Sequence, residues 1–247
     1  MNPRSQPGSS FASAIPLYER SRPQLNCFAT HISPLVGGRS VLEVASGTGI
    51  LSRVLRDSAC GRLLTTDIDL RMVRYLKQQG FQAICSRGEQ LPFADHSFDV
   101  IAIAQALHWL NIEKACSEFR RVLKDGILIV IRTWPDETIE SVARIERAIR
   151  GNRPSKIIGT PTVLNGFRLL EVTHRRMPLR LTQGDVLDVM ATRNRYLQST
   201  ANGRMQIRRD VETILSSHGQ AIDYDHVGEA AVFAPGRPPN LSRQVLD

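Results

Sequence analysis

The chain has no apolar run long enough to cross a bilayer; its longer apolar stretches, such as Val100 to Ala104 and Ile127 to Ile131, are only strand-length. Its first residues, M-N-P-R-S-Q-P-G-S-S, lack the apolar core of a signal peptide, so a cytoplasmic protein with no membrane partner is expected. Cysteine is scarce. The four present, Cys27, Cys60, Cys85 and Cys116, share no C-x-x-C spacing, which argues against a zinc site or a disulfide framework and for reduced thiols. The histidines other than His108 show no ligand spacing, so no metal is implied. No internal repeat or low-complexity tract appears before the Pro-rich end, Pro235 to Pro239. Acids are also in deficit: 24 Asp and Glu against 32 Lys and Arg leave a net charge of +8, a balance that suits anionic partners. The composition, 42% hydrophobic and 23% charged, is that of a globular chain, and 247 residues suffice for one full α/β domain but not two large ones.

What is present is organised around Val41 to Leu51, V-L-E-V-A-S-G-T-G-I-L. Val41, Leu42 and Val44 read as a buried parallel strand, while Ile50, Leu51, Val54 and Leu55 carry the three-and-four spacing of a packed helix. Gly47 and Gly49 sit at the hinge, where the missing Cβ lets the backbone turn sharply and a ligand lie against it. A dinucleotide site wants G-x-G-x-x-G facing a pyrophosphate. Here the third position is Ser52 and an acid, Glu43, stands just before the turn, which opposes a pyrophosphate and suits a cationic ligand.

The stretch E-x-A-x-G-x-G therefore resembles motif I of the class I S-adenosylmethionine (SAM) methyltransferases, usually written with Gly where this chain has Ala45. Asp67 follows about 20 residues past the glycines, at the end of a second short apolar run, where an acid can accept both hydroxyls of a ribose. T-D-I-D-L-R-M-V is similar to the family's D-x-S-x-x-M, and G-E-Q-L-P-F-A-D-H-S-F-D-V, Gly88 to Val100, resembles a segment of the type 11 methyltransferase group. The resemblance implies SAM as cofactor, held by Glu43, Ala45, Ser46, Gly47, Thr48 and Gly49, with Asp67 on the ribose, Met72 near the adenine, and Ile68, Gly88 and Glu89 also among the cofactor residues. Asp69 reads instead as a helix N-cap. Arg87 stands where the family often has an Asp that accepts from the adenine amino group, so Glu89 or a backbone carbonyl must serve, or Arg87 stacks on the ring.

The chain then alternates as a βαβα pattern should. Strands are expected near 41–45, 63–67, 82–85, 99–104 and 127–133 with helices between them, which predicts a doubly wound, mostly parallel, Rossmann-like sheet. Asp125-Gly126 is expected to make a turn before the fifth strand. Farther on, Ser141 to Arg150, Asp185 to Gln198 and Gln206 to Ser217 read as helices, Phe167 to Leu181 as a strand and Ala230 to Ala234 as the closing antiparallel strand. The expected organisation is a mobile tail (1–10) and a single domain (11–247), in which a SAM-binding core (38–133) is followed by a helical substrate roof with one core strand (134–220) and the closing strand and tail (221–247).

At the end of the fourth strand, A-Q-A-L-H-W-L-N resembles the Q-A-x-H-W of trans-aconitate methyltransferase-like proteins. That implies Gln105 against the cofactor, His108 as a base or a structural histidine, and Trp109 as pocket wall. Phe11 to Pro23 resembles the family's leading segment, which makes Tyr18 and Arg22 candidates for the pocket rim or a solvated surface helix. Residues 141–210 hold 14 Lys and Arg against 5 Asp and Glu. This charge reads as a solvated basic face or as a clamp for an acidic acceptor, and Arg193 and Arg195 beside Tyr196 are the candidates for the clamp. The expected function is methylation of a small organic acceptor, at the oxygen of a carboxylate or hydroxyl. Two alternatives stand beside it. The basic pI near 9.8 suits an RNA methyltransferase, although no appended RNA-binding module or N-P-P-[YF]-type motif supports a nucleic-acid partner, and Arg87 leaves room for a non-catalytic SAM-binding scaffold.

Overall fold

A computed structural model describes residues 22–151 and 163–236, together with Ile15 and Glu19. The expected mobile tail, Tyr18, most of the Phe11 to Pro23 segment and most of the Pro-rich end lie outside the described residues. The chain forms two compact units, one drawn from Phe28–Arg132, Gly159–Thr173 and Glu229–Asp247, the other from Met1–Cys27, Thr133–Ile158 and His174–Gly228.

The first unit holds the alternating elements. After helix α1 (Ala29–Val36) come β1 (Ser40–Val44), α2 (Ile50–Asp57), β2 (Arg62–Asp67), α3 (Leu70–Gln78), β3 (Ala83–Cys85), β4 (Phe98–Ala104), α4 (Ile112–Val122) and β5 (Leu123–Pro135). The five strands predicted here all form. An eight-stranded sheet runs in the order β3-β2-β1-β4-β5-β10-β7-β6, with β6 (Val163–Leu164), β7 (Phe167–Met177) and β10 (His226–Pro235) completing it. β1 pairs in parallel with both β2 and β4, so the order reverses beside β1, and in such sheets ligands lie at the carboxyl ends of the strands that flank the reversal.

Local chemistry explains these elements. Leu51, Val54 and Leu55 put one face of α2 in the core, and Asp69 caps α3 as expected, accepting the Arg71 N–H at 2.9 Å. Leu42, Ile101, Ile103, Phe119, Leu128 and Phe233 lie in one continuous apolar cluster of this unit. The predicted turn at Asp125-Gly126 is absent: β5 starts at Leu123 and runs through both residues. Gly126 serves a close approach instead, since a Cβ there would lie 1.9 Å from the Asp99 carbonyl oxygen of β4, next to a shift in register between Phe98 and Val100.

The second unit packs α5 (Glu140–Arg150), α6 (Gln183–Ala191), α7 (Asn194–Leu197) and α8 (Ala201–Leu215) around Val142, Ile145, Val186, Met190, Val211 and Tyr224. Two short strands, β8 (Arg180–Thr182) and β9 (Ala221–Asp223), pair antiparallel beside them. The helix expected over 185–198 is broken in two, with Thr182 and Asp185 forming a reciprocal capping box at its start. The next helix begins earlier than predicted because Thr200 caps it on the Gly203 N–H.

Candidate active site

The loop after β1 is fixed by left-handed backbone and by two acids. Ala45, Gly47 and Gly49 have φ values of 54°, 55° and 83°, which favour glycine, so the family's usual Gly at position 45 has a steric reason. The Ser46 N–H donates to the Thr66 carbonyl at 2.9 Å, and the Gly49 N–H to the Ser46 carbonyl at 2.9 Å. A Cβ on Gly49 would come within 2.8 Å of Leu76 Cδ2, whereas a Cβ on Gly47 would meet nothing within 4 Å. Gly49 thus lets α2 seat against α3, while Gly47 borders open space. Beside it the Thr48 hydroxyl is buried without a hydrogen-bond partner among the described residues.

Asp67 ends β2 and is only 8% exposed. One carboxylate oxygen accepts the Gly47 N–H at 2.8 Å, and the other the Asp69 N–H at 2.9 Å. Burial raises its pKa, with those amides pulling the other way. Glu43 is 1% exposed and accepts a hydrogen bond from the Ser52 hydroxyl. Its pKa is raised to about 8, first by burial and further by the nearby Asp67 charge, with Ser52 opposing. Glu43 is therefore not the open negative charge toward a cationic ligand that its sequence position suggested. It braces α2 from inside, and Ser52, which breaks the dinucleotide pattern, is its partner.

Around the loop, some expected neighbours are open and others committed. Ile68 is 40% exposed, whereas Met72 is buried, so Ile68 and not Met72 offers an apolar face beside Asp67. A Cβ on Gly88 would press on Val44 and Leu110 at 3.0–3.2 Å, which makes its absence a packing need. Glu89 accepts the Asn111 N–H at 2.9 Å and lies 3.8 Å from Arg87 Nε, so its carboxylate secures the start of α4 and gives Arg87 a partner.

At the end of β4, Gln105 adopts φ 56° and donates its N–H to the Ile131 carbonyl at 2.9 Å. Left-handed backbone at a non-glycine residue carries strain, and such strain concentrates at functional sites. The next residues form a short 3-10 turn, Leu107–Trp109, in which the His108 and Trp109 rings lie 4.7 Å apart with Trp109 44% exposed. The His108 pKa is lowered, first by burial and then by the Arg132 charge, both of which favour the neutral ring. Arg132 was missed in the sequence. A cation ending the apolar run Ile127 to Ile131 was the available signal, comparable to Asp67 ending β2.

The remaining candidates, Arg22, Arg193 and Tyr196, belong to the second unit. Arg22 donates to the Thr192 carbonyl at 3.1 Å. Arg193 is committed internally: its Nη2 donates to Glu146 Oε1 at 2.8 Å, and the Tyr224 hydroxyl donates to the same oxygen at 2.5 Å. Burial pushes the Tyr224 pKa well up and holds His226, beside it, down to about 3. Tyr196 packs against the apolar cluster of this unit. A carboxylate clamp at Arg193 would have to displace Glu146, and Arg195, exposed on α7, is the freer of the pair. Among the described residues no group of three His, Cys, Asp or Glu could hold a metal, and no helix is long and apolar enough to cross a membrane.

Residues 42–131 match the family model described as a methyltransferase domain. The chain is 27% identical over 212 residues to an uncharacterized methyltransferase of Mycobacterium tuberculosis, covering 85% of this chain and 86% of that one. A malonyl-[acyl-carrier protein] O-methyltransferase of Herminiimonas arsenicoxydans is 35% identical over 101 residues, 40% of this chain and 39% of that protein. A solved structure assigned as a type II methyltransferase from Anaeromyxobacter dehalogenans has a TM-score of 0.65 and 20% identity, with 87% of this chain and 97% of that chain covered, which shows the shared fold.

Proposed function

We propose that this chain, a class I SAM-dependent methyltransferase, transfers the methyl group to an oxygen of a small organic molecule. When bound, SAM supplies a methyl group already activated by its sulfonium. The protein's tasks are then to bind, align and keep water away. Asp67 keeps lone pairs after accepting Gly47 and Asp69, and these suit two ribose hydroxyls. The open space at Gly47 and the unpartnered Thr48 hydroxyl fit a polar ligand laid against the loop, and exposed Ile68 fits an adenine edge. Ala45, Ser46 and Gly49 shape that loop from behind, while Glu43 braces α2 through Ser52, Gly88 packs against Val44 and Leu110, and Glu89 holds the start of α4.

The observation that carries the acceptor side is His108, exposed beside Trp109 and close to the strained Gln105, in surroundings that favour its neutral form. A neutral imidazole can take the proton of a hydroxyl as its oxygen is methylated. The malonyl-[acyl-carrier protein] O-methyltransferase relative supports oxygen as the target atom. The RNA reading rests on net charge alone, and in 141–210 part of that charge is paired: Arg150 with Glu137, Arg176 with Asp225, Arg180 with Asp223 and Arg208 with Glu212.

The test is calorimetric titration with SAM and with its demethylated product, followed by assay of product release with panels of hydroxylated and carboxylated small molecules and with total RNA. Binding together with turnover of a small acceptor supports the proposal. Binding with methylation of RNA only, or of no acceptor, would overturn it.

A further inference from the structure

The geometry points to Arg132 as the residue that recognises the acceptor: it holds a carboxylate of the substrate while a separate hydroxyl of the same molecule is methylated beside His108. This rests on the proposed small-molecule reading and narrows it to hydroxy acids. Arg132 stands just past the last register pair between β4 and β5, Ala104 with Ile131, and next to the Ile131 carbonyl that takes the Gln105 N–H. It therefore sits where β5 leaves its pairing with β4, beside the Gln105 to Trp109 turn and within the same unit.

The guanidinium is half-buried, and among the described residues it makes no hydrogen bond or ion pair. Its surroundings lower its pKa, with only a longer-range attraction to Glu229 opposing. By contrast, the guanidiniums of Arg121, Arg150, Arg176 and Arg193 each have a carboxylate partner. A partly desolvated cation without a partner is costly, and a ligand anion repays that cost. The planar fork suits a carboxylate, and Glu229 nearby disfavours a doubly charged phosphate.

The same contact argues against methylation of that carboxylate. A fork bonded to both oxygens draws down their electron density and would lose its partner charge when an ester forms. The acceptor's hydroxyl oxygen instead gives a lone pair to the methyl carbon, whose bond to sulfur breaks with the pair left on sulfur. The hydroxyl proton passes to the neutral His108 ring and then to solvent, and the carboxylate is unchanged.

The experiment assays the full chain with 2-, 3- and 4-hydroxybenzoate, lactate and malate, each beside its amide, for the parent, Arg132→Gln and Arg132→Lys. Products are identified as ethers or esters by NMR and by their resistance or susceptibility to alkaline hydrolysis, and the affinity for the demethylated cofactor is measured by calorimetry. The parent should convert at least one acid to its methyl ether, with kcat/KM about 10- to 100-fold above that for the amide. Assayed above the His108 limb, Arg132→Gln should erase that preference through the KM for the acid while cofactor affinity stays as in the parent, and Arg132→Lys should restore part of it. Ester products, a preference for amides, an intact preference in Arg132→Gln, or weakened cofactor affinity in that variant would each overturn the inference. A parent that binds the cofactor yet methylates none of these acids overturns it too, whereas a parent that binds no cofactor overturns the methyltransferase reading beneath it.

Discussion

Gly47 donates its backbone N–H to Asp67 Oδ2 at 2.8 Å, so the carboxylate at the end of β2 ties down the loop that follows β1. The residue expected to grip the ribose is thus also the one that shapes the loop around the cofactor. Asp67→Ala should lose both functions: a stability loss of about 1–3 kcal/mol and at least tenfold weaker SAM binding, read by denaturation and calorimetry. Equal SAM affinity in parent and variant would remove Asp67 from the site.

Glu43 gives the fold a pH dependence. Its pKa is raised from 4.5 to about 8, so the folded state holds its proton more tightly than the unfolded chain. The stabilisation from this group is complete below the unfolded value and fades as pH rises through the folded one. Between pH 5 and pH 8, Glu43→Gln should therefore gain on the parent by a few kcal/mol, on the order of 1.4 kcal/mol per pH unit at most. Denaturant titrations at several pH values that give a constant difference would contradict a buried, protonated Glu43.

Ala45 tests the strain in the loop. An L-residue at φ 54° costs about 1–2 kcal/mol, and glycine returns about 0.4–1 of that through unfolded-chain entropy. Ala45→Gly should stabilise by about 0.5–1 kcal/mol, and Ala45→Val should destabilise by more than Ala45→Gly gains. A fall in melting temperature for Ala45→Gly would show that the loop does not hold this conformation.

These residues also show how far the site could be read beforehand. Periodicity and glycine spacing placed β1 to β5 within a few residues, because each is an apolar run bounded by a turn. Asp67 was identifiable as the acid ending the second run. The roles of Glu43 and Glu89 were not, since nothing local distinguishes a carboxylate facing a ligand from one bonded to Ser52 or to the Asn111 amide. Gly126 misled for a similar reason: a glycine required by the distant Asp99 carbonyl looks the same in sequence as one that makes a turn. Arg193 read as a candidate clamp through its neighbour Tyr196, but Glu146, which it bonds, lies 47 residues away, and Tyr224, which bonds the same oxygen, lies 78 residues from Glu146.

That cluster yields its own expectation. Glu146→Ala leaves the Arg193 charge without its carboxylate and should cost about 3–5 kcal/mol, whereas Tyr224→Phe, which loses one hydrogen bond, should cost about 1–3 kcal/mol. Urea denaturation distinguishes them. A loss below about 0.5 kcal/mol in Glu146→Ala, the range of ordinary surface substitutions, would return Arg193 to the role of a solvent-facing clamp.

His108 should set the pH dependence of turnover. With its pKa lowered by burial and by Arg132, the rate should climb along a limb centred below 6.5, and Arg132→Gln should move that limb toward higher pH. His108→Ala should reduce turnover by roughly 10²- to 10⁴-fold while SAM affinity stays as in the parent. A flat profile with full activity in the variant would assign His108 to structure.

The most direct test of the central claim follows the methyl group itself. SAM labelled with ¹³C at the methyl carbon is incubated with the protein and the acceptor panel, and the products are read by NMR and mass spectrometry. The label should appear on oxygen of a small molecule in the parent, and be lost or strongly reduced in Asp67→Ala and His108→Ala. Label on nitrogen, on RNA, or still wholly on SAM after binding is demonstrated would contradict it.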